Sequence, residues 1–320
     1  MSDMEIDWHS PGQSSDLTSD DGYATDSGVS SMDEQISTYT KSITSSIVNY
    51  PQEYGRRYHA YRAGVYAFPN DDPELDRMDM AHVLMFKSIG YKLYLAPLVR
   101  ERVIGIDLSA VQPPWVPHNV KFEIDDIESP WVGDRMYDYI FVRYMLVSIQ
   151  DWPKLVQNIY EHLNPGGWVE FQDMDGLYYS DDGTYAEHYV TRLWNQEFVQ
   201  ACESIGRTAR PGPQLEGWVT NAGFQNVVHK RFKAPIGPWP KDAHFKDVGM
   251  HNLCQLLNGL EGFSLRLFCG VLGRSEDEVL SMLSNVREEL KRGLFHAMFD
   301  HHVVYGQKPL EGQQQQYFAS

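Results

Sequence analysis

From residue 103 onward, short apolar runs rich in β-branched and aromatic residues alternate with segments of helical period. The runs are Val103-Ile-Gly-Ile-Asp107, Lys121-Phe-Glu-Ile-Asp125, Tyr137-Asp-Tyr-Ile-Phe-Val-Arg143 and Trp168-Val-Glu-Phe-Gln172, each ending at or beside a polar residue. Near-continuous apolar strands are buried on both faces, so these predict a mostly parallel sheet whose ligand-binding edge lies at the strand C-termini. Between the third and fourth runs, Asp151 and Pro153 open a helix carrying Leu155, Val156, Ile159 and Leu163, which closes at Asn164-Pro-Gly-Gly167. That is a strand, helix, strand unit, for which a right-handed crossover is expected. Upstream, Asn70 to Asp72 offer N-cap side chains, Pro73 suits a first helical turn, and Leu75, Met78, His82, Met85 and Ile89 recur at +3 and +4, predicting a helix that runs toward Tyr94. Downstream, residues 174–293 read as a helical cover. In it, Ser275-Glu-Asp-Glu278 forms a capping box ahead of Val279, Leu283, Val286 and Leu290, and Gly293 ends the helix. Two late strands, 224–233 and 301–307, are expected to pair antiparallel at one edge of the sheet.

Composition sharpens this picture at the N-terminus. Residues 1–40 hold nine acidic side chains and no Lys or Arg, so residues 1–45 read as a disordered acidic tail and 46–320 as the folded domain. With 320 residues and 42% apolar content, the chain has enough apolar material for one large core. A net charge of −17 opposes the phosphate backbone, which argues against direct nucleic-acid binding. No apolar run approaches the ~20 residues of a membrane span, and the acidic N-terminus is unlike a signal peptide. The expected location is therefore intracellular, cytoplasmic or nuclear. Cys202, Cys254 and Cys269 lack the spacing of a disulfide framework or a thiolate zinc site. His301 and His302 are adjacent strand residues that point to opposite faces, so they do not form a two-histidine metal site alone. His229, His244, His251 and His296 have no distinctive spacing, and no metal is expected.

Several longer motifs carry a family resemblance across residues 50–309. They are Tyr54-Gly-Arg-Arg-Tyr-His, Pro69-Asn-Asp-Asp-Pro-Glu-Leu-Asp-Arg77, Lys92-Leu-Tyr-Leu-Ala-Pro97, Ile104-Gly-Ile-Asp-Leu-Ser109, Gln112-Pro-Pro-Trp-Val-Pro117, Asn164-Pro-Gly-Gly-Trp-Val-Glu-Phe-Gln172 and Val304-Tyr-Gly-Gln-Lys-Pro309. In this order they resemble the fungal LaeA-like S-adenosylmethionine-dependent methyltransferases, which have the class I methyltransferase (Rossmann-like) α/β fold. The resemblance implies S-adenosylmethionine as cofactor and a setting in fungal secondary metabolism. The partner would be a small natural-product intermediate, or a biosynthetic or regulatory protein. It places Asp107 against the ribose hydroxyls, where an acceptor-only carboxylate meets two donors, and Asp125 or Asp126 against the adenine amino group. Tyr58 belongs to a stretch that closes over the cofactor in similar enzymes, and Arg143 ends a strand on the substrate side. The Pro165-Gly-Gly167 turn is read as structural, since it joins a helix to a strand.

One departure limits what the resemblance implies. Class I methyltransferases open their sheet with a central strand and a Gly-x-Gly-x-Gly loop, yet none of the 25 glycines here is spaced two residues from another. Only Val99-Arg-Glu-Arg-Val103 joins the segment ending at Leu98 to the run ending at Asp107. A strand, a helix and their loops would need roughly 25–30 residues. The three prolines among Leu108 to Pro117 leave no room for a crossover helix there, so Val103 to Asp107 is the second strand of the fold and the first βα unit is missing. Two consequences are expected: Val103 to Asp107 closes up beside Tyr137 to Arg143, and S-adenosylmethionine binds weakly or not at all. Three origins are compatible with the gap: an active methyltransferase with an altered pocket, an inactive homologue kept as an auxiliary or regulatory binding protein, and a gene model that omits an exon.

Overall fold

The computed structural model describes residues 49–64, 66–97, 103–112, 116–131 and 133–310. All lie in the second of two units, residues 46–320. The expected acidic tail, 1–45, falls outside the described residues.

The elements run β1 (Gln52–Glu53), β2 (Arg56–Arg57), α1 (Asp72–Ser88), β3 (Val103–Asp107), β4 (Val120–Ile124), β5 (Tyr137–Arg143), α2 (Trp152–Glu161), β6 (Leu163–Met174), α3 (Val190–Ser204), α4 (Leu215–Asn221), β7 (Gln225–Pro235), α5 (Ala243–Gly270), α6 (Glu276–Arg292) and β8 (Met298–Gln307). The local signals act where the residues place them. Asp71 caps α1 by accepting from the Glu74 amide at 3.2 Å while Arg56 grips the same carboxylate at 2.6 and 2.7 Å. The capping box of Ser275 and Glu278 opens α6, and Gly293, in the left-handed region at φ 60°, ends it. α1 stops at Ser88, short of Tyr94, because Gly90 and Tyr91 both take positive φ.

The main sheet has the order β5-β6-β8-β7. β5 and β6 are parallel around α2, and β8 joins β6 and β7 antiparallel, as the late strands predicted. Side chains alternate between its two faces. On one face, Val169, Phe171 and Val304 pack with Leu155, Val156 and Ile159 of α2 and Leu215 and Val219 of α4. The three α2 residues are at most 1% exposed, and burying them is worth about 5–9 kcal/mol before entropy is counted. On the other face lie α1, whose Met85 and Ile89 meet Val303, and a larger cluster built from α3, α5 and α6 with Phe299. Lys308 exchanges backbone bonds with Gly166 and Gly167 (2.9 and 2.8 Å), so the Pro165-Gly-Gly167 turn registers the edge of the sheet.

β3 does not join this sheet. It pairs in parallel with β4 over five residues, Val103 against Val120 through Asp107 against Ile124, and with no other strand among the described residues. The expected closure onto β5 is therefore wrong: the sheet splits. The physical reason lies in the chain on either side. The 93–97 segment is pinned to the sheet face, and only residues 98–102 tether it to β3. Leu93 O accepts from Arg143 Nη2 (2.9 Å) and Gln172 Nε2 (3.0 Å), while the Leu95 and Ala96 amides donate to Glu170 at 2.8 and 2.7 Å. The split leaves apolar surface bare, with Val103 46%, Ile106 41%, Phe122 39% and Phe141 39% exposed. Gly105 leaves room for the Phe122 ring of β4, which lies where a Cβ at that position would clash with it.

Glu170 is the main polar pin of this face. It is fully buried, accepts from two backbone amides and from Gln172 Nε2 (2.7 Å), and has the Tyr139 hydroxyl at 3.5 Å. Replacing it by leucine (Glu170→Leu) strands the Leu95 and Ala96 amides away from water. The expected loss is about 3–5 kcal/mol, read as a lowered urea midpoint. An unchanged midpoint would show that the segment is held by its apolar contacts instead.

Candidate functional site

The carboxyl ends of β5 and β6 make the most constrained corner of the molecule. Beyond Arg143 the chain turns through Tyr144 and Val147, both non-glycine residues in the left-handed region (φ 52° and 61°). A buried β-branched residue in that conformation costs on the order of 1–3 kcal/mol, so the surroundings must hold it. They do: the Tyr144 amide donates to Gln172 O (3.0 Å), the Met145 amide to Asp173 Oδ2 (2.7 Å) and the Val147 amide to Thr208 O (3.0 Å). Asp173 is buried and also accepts from the Met174 amide at 2.9 Å. Burial pushes its pKa up to about 7, against the lowering effect of those amides.

The turn aims the Tyr144 ring under α1, where its hydroxyl donates to Ala81 O at 2.9 Å and lies 3.3 Å from His301 Nε2. These residues wall a cavity of about 60 Å³. It lies between the strand ends and α1, α3 and α5. Most of its wall is aromatic: Phe68, Tyr178, Trp194, Phe198, Phe263 and Phe299 all face it. Arg77 also lines it, but Glu74 takes that guanidinium at 2.9 and 2.6 Å and Gln255 Oε1 accepts at 3.2 Å. His301 is fully buried, and its Nδ1 has no protein partner. Burial, then His302 and Arg143, push its pKa down to about 3, so the ring is neutral. His302 points to the opposite face as the alternation predicted, with its Nδ1 2.7 Å from His229 Nε2 and its pKa pushed down to about 4 by burial and then by His229.

The residues singled out from the sequence are distributed as follows. Asp107 and Asp125 come together at the ends of β3 and β4, where the Asp125 amide donates to Asp107 O at 3.1 Å. Asp107 Oδ1 accepts from the Ser109 amide (2.8 Å). Burial raises the Asp107 pKa, the Ser109 and Leu108 amides oppose that rise, and the residue is exposed to solvent. Asp125 is exposed and caps the next amide. Asp126 is buried and already engaged, with Arg62 Nη1 at 3.2 Å, the Glu128 amide at 2.9 Å and Ser129 Oγ at 3.2 Å. Tyr58 is fully buried with Arg266 4.6 Å above its ring, its hydroxyl unpartnered and its pKa pushed up to about 12 by burial. Arg143 lies over Phe141 and is spent on Gln172 (2.9 Å), His82 (2.8 Å) and Leu93 O. Tyr144 and Asp173 were not singled out from sequence. Asp173 carried the one available signal, an acid just past an apolar run.

Comparison with known proteins places this architecture. Residues 91–229 match the model of a methyltransferase domain. The chain is 41% identical over 295 residues to methyltransferase pytC of Aspergillus terreus, covering 84% of this chain and 91% of that one. The chain belongs to the methyltransferase family. This methyltransferase-family chain is also 30% identical over 289 residues to the secondary metabolism regulator LAE1 of Cochliobolus heterostrophus, with 80% and 94% covered. It is 29% identical over 263 residues to the probable methyltransferase tdiE of Emericella nidulans, with 74% and 83% covered. About 26 of the 295 positions aligned with pytC face no residue of this chain.

The buried titratable groups set a pH dependence. The folded chain refuses protons at His301 and His302 that the unfolded chain accepts below about 6.5, so their contribution is complete above that pH and is lost as pH falls toward about 4 and then 3. Asp173 acts oppositely, its contribution being complete below 3.8 and lost as pH rises to about 7. Two histidines outweigh one aspartate between pH 6.5 and 4, so the urea midpoint is expected to fall on acidification. His302→Gln, which keeps an acceptor for His229, should make that fall shallower. An unaltered slope would show that His302 titrates normally.

Proposed function

We propose that this chain is a methyltransferase relative of fungal secondary metabolism that handles a small natural-product intermediate but does not by itself hold S-adenosylmethionine for transfer. The observation that carries the reading is the split between β3 and β5. In the fold, the strand between them delivers the glycine loop whose backbone amides and close approach fix the methionine half of the cofactor. Among the described residues β3 pairs with β4 alone, and the short link to it contains no glycine. The remaining donor set fits only part of the cofactor. Asp107 is open and acceptor-rich, suited to a diol, whereas the Asp126 carboxylate is taken by Arg62 and Ser129. Contacts to a ribose alone do not orient a sulfonium methyl group. No catalytic step through the cofactor follows from these residues.

The half of the molecule that would meet a second ligand is in better order. Its strained turn, polar pins and aromatic cavity support a retained binding role, as an auxiliary or regulatory protein in the biosynthesis its relatives serve. pytC and tdiE are named as methyltransferases and LAE1 as a regulator, so both settings occur among close relatives.

Calorimetric titration of the purified protein with S-adenosylmethionine tests the reading. Two or three lost charge-assisted hydrogen bonds, at ~1.5–3 kcal/mol each, weaken a micromolar site more than about a hundredfold. The expected result is no saturable binding below about 100 μM. Micromolar binding that Asp107→Ala abolishes would restore the methyltransferase reading. Genomic DNA between the codons for Leu98 and Val103 supplies the companion observation: an in-frame strand and Gly-x-Gly-x-Gly loop there would assign the gap to splicing.

A further inference from the structure

On the sheet face opposite the cavity, side chains from three elements form one hydrogen-bonded chain. Glu216 Oε2 of α4 lies 2.9 Å from Nδ1 of His229 in β7, and Nε2 of His229 lies 2.7 Å from Nδ1 of His302 in β8. The first link fixes the donors. A carboxylate has no proton to give, so His229 Nδ1 donates and, in the neutral ring, His229 Nε2 is an acceptor. His302 Nδ1 then donates to it, which leaves His302 Nε2 without a proton.

One added proton reverses the second link. His302 is buried, and burial opposes a charge on it. The His229 side chain is 20% exposed and touches the carboxylate, so the charge settles there. A doubly protonated His229 presents Nε2–H to His302, whose Nδ1 becomes the acceptor. The exchange balances: His302 Nε2 gains a proton, its Nδ1 proton passes to His229 Nε2, and the rings keep their contact. The first link becomes a pair of opposite charges, which is the stronger kind of hydrogen bond. The other charged groups packed around His302 already have partners. Asp175, just past β6, is held by Arg210 at 2.7 and 2.8 Å, and Arg231 of β7 lies 3.5 Å from Asp300 of β8. Asp173 of β6, directly across from His302, is spent on the Met145 and Met174 amides.

We propose that Glu216, His229 and His302 form a pH-sensitive latch, which takes up one proton and then grips α4 more tightly against β7 and β8. The stretch it fastens reaches the constrained corner of the molecule. Just ahead of α4, Thr208 O accepts from the Val147 amide (3.0 Å), Ala209 O accepts from the Gly176 amide (2.9 Å), and Arg210 holds Asp175. Gly212 packs onto His302 so closely that a Cβ there would lie 2.6 Å from its ring. Acid therefore steadies the strained turn at Val147 from the far side of the sheet. The latch uses neither the cofactor nor the cavity, so it stands or falls apart from the function proposed above.

Imidazole ¹⁵N spectra of the wild-type protein read the reversal directly. Between about pH 8 and about pH 5, His302 should pass from the Nδ1–H to the Nε2–H tautomer without becoming an imidazolium, while His229 becomes one. The grip is read with Glu216→Gln, an exposed substitution that keeps an acceptor for His229 but forms no charged pair. Amide exchange at Val147 is compared between the two proteins at each pH, so the intrinsic effect of pH on exchange cancels in their ratio. Protection should be nearly equal at the higher pH and about two- to fivefold greater in the wild type at the lower one. A His302 that keeps its Nδ1 proton throughout, a His302 that charges before His229, or a protection ratio that is the same at both pH values would overturn the proposal.

Discussion

A parallel sheet is continuous only where each interior strand has a neighbour along both of its edges, because the backbone groups of alternate residues point to opposite sides. In this chain a link of a few residues stands where the fold normally interposes a strand and a helix, and everything unusual about the molecule follows from that shortage. β3 and β4 keep each other as partners. β5 keeps β6 and leaves its outer edge without a strand among the described residues. The apolar side chains that the missing unit would cover, Val103, Ile106, Phe122 and Phe141 among them, are left partly open.

The remainder stays anchored because polar pins fix it from other directions. Glu170 gathers the amides of 95 and 96, Arg143 and Gln172 take the carbonyl of 93, and Asp173 holds the turn after β5. These bonds tie the chain just before the gap to β5 and β6, the half of the sheet that survived. Their cost is that Arg143 and Gln172 are committed to structure. The same commitments shape the cavity, since the turn that Asp173 holds is the one that sends Tyr144 to His301. The ordered corner at the ends of β5 and β6 and the separate β3–β4 pair thus lie on either side of the same short link.

Much of this was legible in the sequence. The strands from 103 to 174, α2 with its Asp151 cap, the capping box of α6 and the antiparallel pairing of β7 with β8 follow from periodicity and turn chemistry, which are local. So does the missing βα unit, which is a matter of counting residues. What periodicity did not reveal was the outcome of the deletion. Where β3 comes to lie depends on where the chain before it is anchored, and that anchor is a buried glutamate seventy-odd residues downstream whose partners are backbone amides without a sequence signature. The acids at 107 and 125 were visible because strand ends announce themselves. His301 was visible as half of a pair on opposite faces, but its contact with Tyr144 depends on a left-handed turn that no local rule foretells.

Residue-resolved hydrogen exchange across Tyr137 to Arg143 tests the split most directly. In a parallel edge strand, alternate amides face the partner and the open side. The account predicts two classes in β5: amides facing β6 protected as part of the core, and the intervening ones exchanging at rates close to those of an unstructured chain. Protection of all seven amides would contradict it, because a strand would then occupy the outer edge of β5 and the sheet would be whole.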